Sequence, residues 1–164
     1  MAYSFEPMSH LHRNAVIDIF NHFVTNSFAA FLEEPLPYEA FARFLEMARG
    51  YPSLVAREAG TGQVVGFAFL RAFHPAATFL RTAEVTNFIL PEHTRKGIGS
   101  ALLGRLIEAA PARGIDCLLA AISSQNEQSL CFHRKQGFRE CGRFLTVGRK
   151  LGEDFDVVWM QLRL

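Results

Sequence analysis

The stretch "EVTNFILPEHTRKGIGSALLGRLIEAA", residues Glu84 to Ala110, contains the change of period that decides the fold. It opens inside an alternating apolar segment, Arg81 to Leu90, that reads as a strand and stops at Pro91. From Gly97 the period becomes helical: Ile98, Leu102, Leu103, Leu106, Ile107 and Ala110 form one broad stripe, ended by Pro111 to Gly114. A strand, a loop of about six residues and a helix place unpaired backbone N–H groups at the helix start, where an anion can bind. Gly97 and Gly99 carry no Cβ to hold an anion off, and Arg95 and Lys96 add positive charge. A plain strand-to-helix turn would also use glycines for backbone angle; the cationic flanks favour an anion site. The string is not a P-loop, which needs Gly-x-x-x-x-Gly-Lys-[Ser/Thr]. Leu102 stands where a dinucleotide fingerprint needs its third glycine.

Outward from this unit, the pattern continues on both sides. Val16, Ile19, Phe20, Phe23 and Val24 recur at helical spacing, and Asn26-Ser27 with "FLEEPLP" marks an irregular connection. A second helix is predicted over Tyr38 to Ala48. "SLVAREAGTGQVVGFAFLRAFH" reads as a hairpin turning at Gly60-Thr61-Gly62. Beyond the central helix, "DCLLAAIS" suits a buried, parallel-paired strand. Asn126 to Gln136 reads as a short helix closed by Gly137, and Phe138–Gly148 and Phe155–Leu164 as two last strands. With a short strand expected at the N-terminus, the order predicts an α/β (α+β) fold, a mixed sheet with helices on both faces.

At 164 residues the chain suits one domain spanning 1–164. A formal net charge of +1 argues against a nucleic-acid surface, which leaves a small molecule as the expected partner. No apolar run approaches the roughly 18 residues of a spanning helix, and no basic-then-apolar leader opens the chain, so no membrane is expected and the location is read as cytoplasmic. Cys117, Cys131 and Cys141 are odd in number, lack Cys-x-x-Cys spacing and read as reduced packing residues. Apart from the i,i+2 pair His10 and His12, the histidines show no pair at metal-ligand spacing beside a carboxylate on one face, so no metal is expected. Sixteen phenylalanines are an unusual count; most must be core, but so many aromatics can also wall an apolar pocket.

"RTAEVTNFILPEHTRKGIGSALL", "NEQSLCFHRKQGF" and "VGRKLGEDFDVVWMQLRL", with the looser "IFNHFVTNSFAAF", resemble the GNAT superfamily of N-acetyltransferases, and within it the phosphinothricin and methionine sulfone or sulfoximine acetyltransferases. The likeness spans nearly the whole chain. It implies a mostly antiparallel central sheet, acetyl-coenzyme A (acetyl-CoA) as cofactor, and direct attack by an amine in a ternary complex. The pyrophosphate signature [Gln/Arg]-x-x-Gly-x-[Gly/Ala] falls on Thr94-Arg95-Lys96-Gly97-Ile98-Gly99, with Thr94 as a departure that gives up a side-chain contact but leaves the backbone cradle. The amides of Arg95 to Ser100 would then meet the pyrophosphate. The resemblance also implies that main-chain N–H groups near Phe88 to Leu90 polarise the acetyl carbonyl, and that backbone groups of Ile89 and Leu90 pair with the pantetheine arm.

The same resemblance makes Glu84, in "T-x-E", the expected base; taken alone, it reads equally as a glutamate on an exposed strand face. Asn126 is a natural helix cap, and the family implies that it also touches pantetheine, with Ser129 as a neighbour. His133 occupies a place where many relatives carry a tyrosine that protonates the leaving thiolate; imidazole can do so too, and packing beside the cofactor is the other reading. Phe20, Asn21, Phe28 and Phe31 are the acceptor-pocket candidates, core packing being their plain alternative. Arg71 and Arg81 flank the loop before the catalytic strand, where a guanidinium can clamp an acceptor carboxylate; solvated surface arginine is the alternative. The expected substrate is a small amino-acid-like primary amine, and a homodimer is plausible from the relatives. Two further readings stay open: a non-catalytic acetyl-CoA sensor, and a protein or peptide acetyltransferase served by Glu33, Glu34 and Glu39.

Overall fold

The computed structural model describes residues 2–164. Seven strands form one sheet: β1 (Tyr3–Pro7), β2 (Ser53–Glu58), β3 (Val64–Ala72), β4 (Thr82–Ile89), β5 (Cys117–Ser123), β6 (Arg139–Lys150) and β7 (Glu153–Arg163), in spatial order β1-β2-β3-β4-β5-β7-β6. Four α-helices cover it: α1 (Arg13–Asn26), α2 (Phe41–Met47), α3 (Ile98–Ala109) and α4 (Glu127–Lys135). Every strand pairing is antiparallel except β4 with β5. "DCLLAAIS" therefore has two partners. It runs parallel to β4 over Thr82↔Cys117 to Glu84↔Leu119 only, and antiparallel to β7 along its whole length.

The period-2 alternation of the strands sends side chains into two cores, one on each face. Beneath α3 and α4, Leu102, Leu103 and Leu106 pack with Leu70, Leu118 and Met160. Beneath α1 and α2, Val16, Ile17 and Phe41 pack with Phe67 and Phe69. The phenylalanines concentrate in this second core, where Phe44 meets both Phe67 and Phe69 at ring-centroid distances of 6.1 and 5.9 Å.

Some boundaries differ from the sequence reading for identifiable reasons. The second helix begins with a 3-10 turn at Tyr38–Ala40 before α2 proper. The last two strands run to a tight turn at Leu151-Gly152, both at positive φ (52° and 77°), so residues 149 to 154 are strand and turn, not an irregular link. Cys117 is buried and Cys131 half-buried, but Cys141 is exposed because β6 is the sheet's outer strand.

Candidate active site

Once the three β4–β5 pairs end at Glu84, β4 follows β3 while β5 follows β7, and a cleft opens between them. Val85 to Ile89 line one wall and Ala120 to Ile122 the other of a cavity of about 520 Å³. The Leu90 N–H donates to the Val65 carbonyl at 2.9 Å. By antiparallel alternation the backbone of Phe88 also turns to β3, while Val85, Asn87 and Ile89 turn theirs towards the cleft. This corrects part of the expectation at the strand end. Ile89 can pair with an extended ligand, Leu90 has already used its donor and is not on the cavity wall, and Phe88 contributes its ring, 5.4 Å from that of Phe20.

The loop to α3 closes one end. Thr94, Arg95, Gly97, Gly99 and Ser100 line the cavity, whereas Lys96 and Ile98 do not. Ile98 is buried in the core, so only its backbone N–H, in the first turn of α3, faces the loop side. Gly97 sits at φ +83°, and a Cβ there would meet nothing within 4 Å. Its lack of a side chain sets the turn and leaves open space over the first amides of α3. Gly99 has a different job from the one expected: its Cβ would lie 3.0 Å from Ile89 Cδ1 and 3.2 Å from the Phe132 ring, so it lets α3 approach β4 and α4. Thr94 turns its hydroxyl onto the Pro91 carbonyl at 2.8 Å. At this departure from the signature, the side chain stitches the loop instead of reaching a ligand.

At the other end stands an ion pair. Arg71 on β3 lies opposite Glu84 on β4, and Arg71 Nη2 donates to Glu84 Oε1 at 2.6 Å. The Glu84 side chain is 14% exposed and that of Arg71 36%, and both line the cavity. Arg71 Nη1 meets only the Met47 sulfur at 3.9 Å, and the buried Nε has no partner. Phe20 and Phe31 also line the cavity, with Phe31 stacked on Phe155 at 5.8 Å.

Three acceptor candidates lie elsewhere. Asn21 exchanges two hydrogen bonds of 2.8 Å with the Leu36 backbone, which ties the connection after α1 to that helix. Phe28 packs edge-on to Phe155 at 6.0 Å, behind the cavity wall. Arg81 forms a bidentate pair with Asp116 at the closed end, where β4 and β5 are still joined; its Nε donates at 2.8 Å.

From α4 and its N-cap, Asn126, Ser129 and His133 all reach the cavity. Asn126 Oδ1 accepts from the Ser129 N–H at 3.1 Å, a side-chain cap that leaves its Nδ2 for the cleft. His133 is buried, and its Nδ1 lies 2.8 Å from the Ser129 carbonyl, which can only accept. The ring proton is therefore assigned to Nδ1, and a neutral ring presents Nε2 as an acceptor. Burial pushes the imidazole below its ordinary value, and the bond to Ser129 opposes this more weakly. A neutral ring with its proton already bonded is suited to packing and accepting, not to protonating a thiolate.

Sequence reasoning passed over Asn87, Phe69, Phe132 and Ala121, which also line the cavity. Asn87 was legible as a polar residue within an apolar strand. Its Nδ2 contacts the Gly99 carbonyl at 3.3 Å, while its Oδ1 is buried without a hydrogen-bond partner. That orphaned acceptor, the open space over Gly97 and the cleft-facing backbone of Ile89 are the fittings that a long, amide-bearing, phosphorylated ligand such as acetyl-CoA requires. Among the described residues no group of three or more His, Cys, Asp or Glu side chains can hold a metal, and no helix is long and apolar enough to cross a membrane.

Comparison with known proteins agrees with this geometry. The model of the Acetyltransferase (GNAT) family matches residues 16–138. An L-methionine sulfoximine/L-methionine sulfone acetyltransferase of Pseudomonas paraeruginosa is 36% identical over 156 residues, covering 91% of this chain and 87% of that protein. A phosphinothricin acetyltransferase of Sinorhizobium meliloti, solved with acetyl-CoA, superposes with a TM-score of 0.93 at 29% identity, covering 100% of this chain and 89% of that one. A ribosomal-protein-alanine N-acetyltransferase of Brucella melitensis superposes at 0.90 with 34% identity, covering 98% and 99%.

Proposed function

The chain belongs to the acetyltransferase (GNAT) family and is an acetyl-CoA-dependent N-acetyltransferase, and we propose that its acceptor is the primary amine of a small amino-acid-like molecule. The observation that carries this reading is the Arg71–Glu84 pair in one cavity: a carboxylate placed to take a proton from an ammonium group, beside a guanidinium placed to hold an acceptor's carboxylate. Phe20, Phe31 and Met47 give that end an apolar wall suited to the acceptor's side chain.

Acetyl-CoA, when bound, would supply an activated acetyl carbon for the amine nitrogen, with coenzyme A as the leaving thiol. Glu84 takes one proton from the acceptor's ammonium, directly or through a water, and so frees the nitrogen lone pair. The amides of Arg95, Gly97, Ile98, Gly99 and Ser100 would hold the pyrophosphate, with Lys96 contributing positive charge nearby and Thr94 fixing the loop. Asn126 and Ser129 border the pantetheine arm, and Ile89 pairs with it through its backbone. His133 packs there as a neutral ring, so the thiolate draws its proton from water or from the amine. Residues 1–164 act as one catalytic domain. A cytoplasmic location suits three free cysteines and the absence of a spanning helix among the described residues. A homodimer suits the outer strand β6, where Phe144, Leu145 and Val147 are exposed.

A second reading, acetylation of a peptide N-terminus, is favoured by the likeness to the Brucella enzyme. Thiol release from acetyl-CoA across L-amino acids, methionine sulfone, methionine sulfoximine, phosphinothricin, polyamines and alanine-terminated peptides separates the two. Turnover confined to the free amino-acid-like amines is expected. Turnover of the peptides alone would replace the first reading with the second, and tight acetyl-CoA binding with no turnover of any amine would point to a sensor.

A further inference from the structure

The Arg71 guanidinium has more donors than partners. One Nη2 bond goes to Glu84 Oε1 at 2.6 Å, Nη1 reaches only a thioether sulfur, and Nε is buried with no acceptor. Burying an N–H donor without a partner is unfavourable, and a carboxylate arriving in the cavity would relieve it. A guanidinium is a planar fork matched to two carboxylate oxygens, so that arrival draws Arg71 towards bidentate engagement. The Glu84 oxygen that it leaves is the one it occupies in the ligand-free protein.

On the reading that the acceptor is amino-acid-like, we propose that Arg71 is exchanged between two carboxylates in each catalytic cycle. It holds Glu84 Oε1 in the resting enzyme and passes to the acceptor's α-carboxylate on binding, which frees that oxygen to take the ammonium proton. Arg71 is thus a specificity-determining residue twice over. It anchors the acceptor, and it makes release of the base conditional on the acceptor's carrying a carboxylate. Amines without one would bind beside a base that is still engaged. The two residues are adjacent partners on β3 and β4, so a swing of the Arg71 side chain suffices and the sheet need not move.

The test compares methionine sulfone with 3-(methylsulfonyl)propylamine, the same molecule without its carboxylate, using wild type, Arg71→Gln and Arg71→Lys, with kcat and KM resolved separately. Wild type should lose kcat, as well as gain KM, when the carboxylate is removed. Arg71→Gln should lower kcat/KM for methionine sulfone by about 10- to 100-fold, the effect of removing charge-assisted bonds. The same variant should raise kcat for the propylamine several-fold above wild type, because nothing then holds Glu84. This crossover separates exchange from a simple anchor, which would leave the propylamine rate unchanged, and from a structural ion pair, which would slow both substrates; either result overturns the proposal. Unchanged acetyl-CoA affinity establishes that a variant is folded, and Arg71→Lys, which keeps charge but not the fork, carries the same comparison if the glutamine variant is unstable. If wild type turns over neither methionine sulfone nor phosphinothricin but does acetylate peptides, the acceptor reading itself falls, and the exchange with it.

Discussion

At the scale of single residues, the site depends on a few positions whose chemistry or backbone has no substitute. Gly97 at φ +83° is one of them. Replacing it with alanine strains a left-handed position by about 1–2 kcal/mol, and Gly97→Glu adds a negative charge beside the proposed pyrophosphate site. Isothermal titration should find acetyl-CoA binding weakened in the first variant and abolished in the second, with both still folded. His133 gives a prediction about stability. Because burial lowers its proton affinity in the folded state, the unfolded chain binds more protons just below pH 6.5, the ordinary histidine value. Stability from this group is therefore present above that pH, falls as the pH drops through the window and levels off below the folded value. Urea melts from pH 7.5 to 5 should lose stability more steeply in wild type than in His133→Gln; equal slopes would contradict the assignment of a buried neutral ring. Residue identity alone did not reveal this. His133 was legible as a cavity residue, but its tautomer is fixed by the Ser129 carbonyl one helical turn back, a matter of α4 geometry.

At the scale of elements, the site is a product of strand divergence and close helix approach. The alternation, the proline stop and the two glycines were enough to place β4, the loop and α3. The second partner of β5 was not legible, because a short apolar run is equally suited to parallel and antiparallel neighbours. Nor was the fate of Arg81, since Asp116 lies 35 residues away in sequence and meets it only once β4 and β5 are paired. Gly99 marks the approach of α3. Gly99→Val would force branched carbons against Ile89 and Phe132, and acetyl-CoA affinity should fall while Glu84 and Arg71, at the far end, remain paired.

The acceptor end is held from outside the cleft. Lys150, buried on β6, donates from Nζ to the Ala30 carbonyl at 2.6 Å, and Phe155 on β7 is flanked by Phe31 and Phe28. Burial lowers the proton affinity of Lys150, and the nearby Glu33 works in the opposite direction. Lys150→Met should loosen the segment around Ala30 and raise the acceptor KM while leaving acetyl-CoA affinity intact. Gly148→Ala should fail more severely, since its Cβ would clash with the Phe155 ring.

At the scale of the whole molecule, the surplus of phenylalanine resolves into two uses. Phe41 and Phe67 are fully buried and hold α1 and α2 against the sheet, whereas Phe20, Phe23, Phe69 and Phe88 carry the same cluster to the cavity wall. Phe67, stacked on Phe88 at 5.6 Å, belongs to the first group. Phe67→Ala should cost about 3–5 kcal/mol of global stability, measured by denaturant unfolding. Phe31→Ala, at a half-exposed site, should change acceptor selectivity far more than stability. The measurement that tests the central claim most directly is the steady-state rate of acetyl transfer by Glu84→Gln beside its affinity for acetyl-CoA. A fall in kcat of about 10²–10⁴-fold with the affinity unchanged is the predicted result. Wild-type turnover in that variant would contradict the account, because it would leave the ion pair in the cavity with no part in the chemistry.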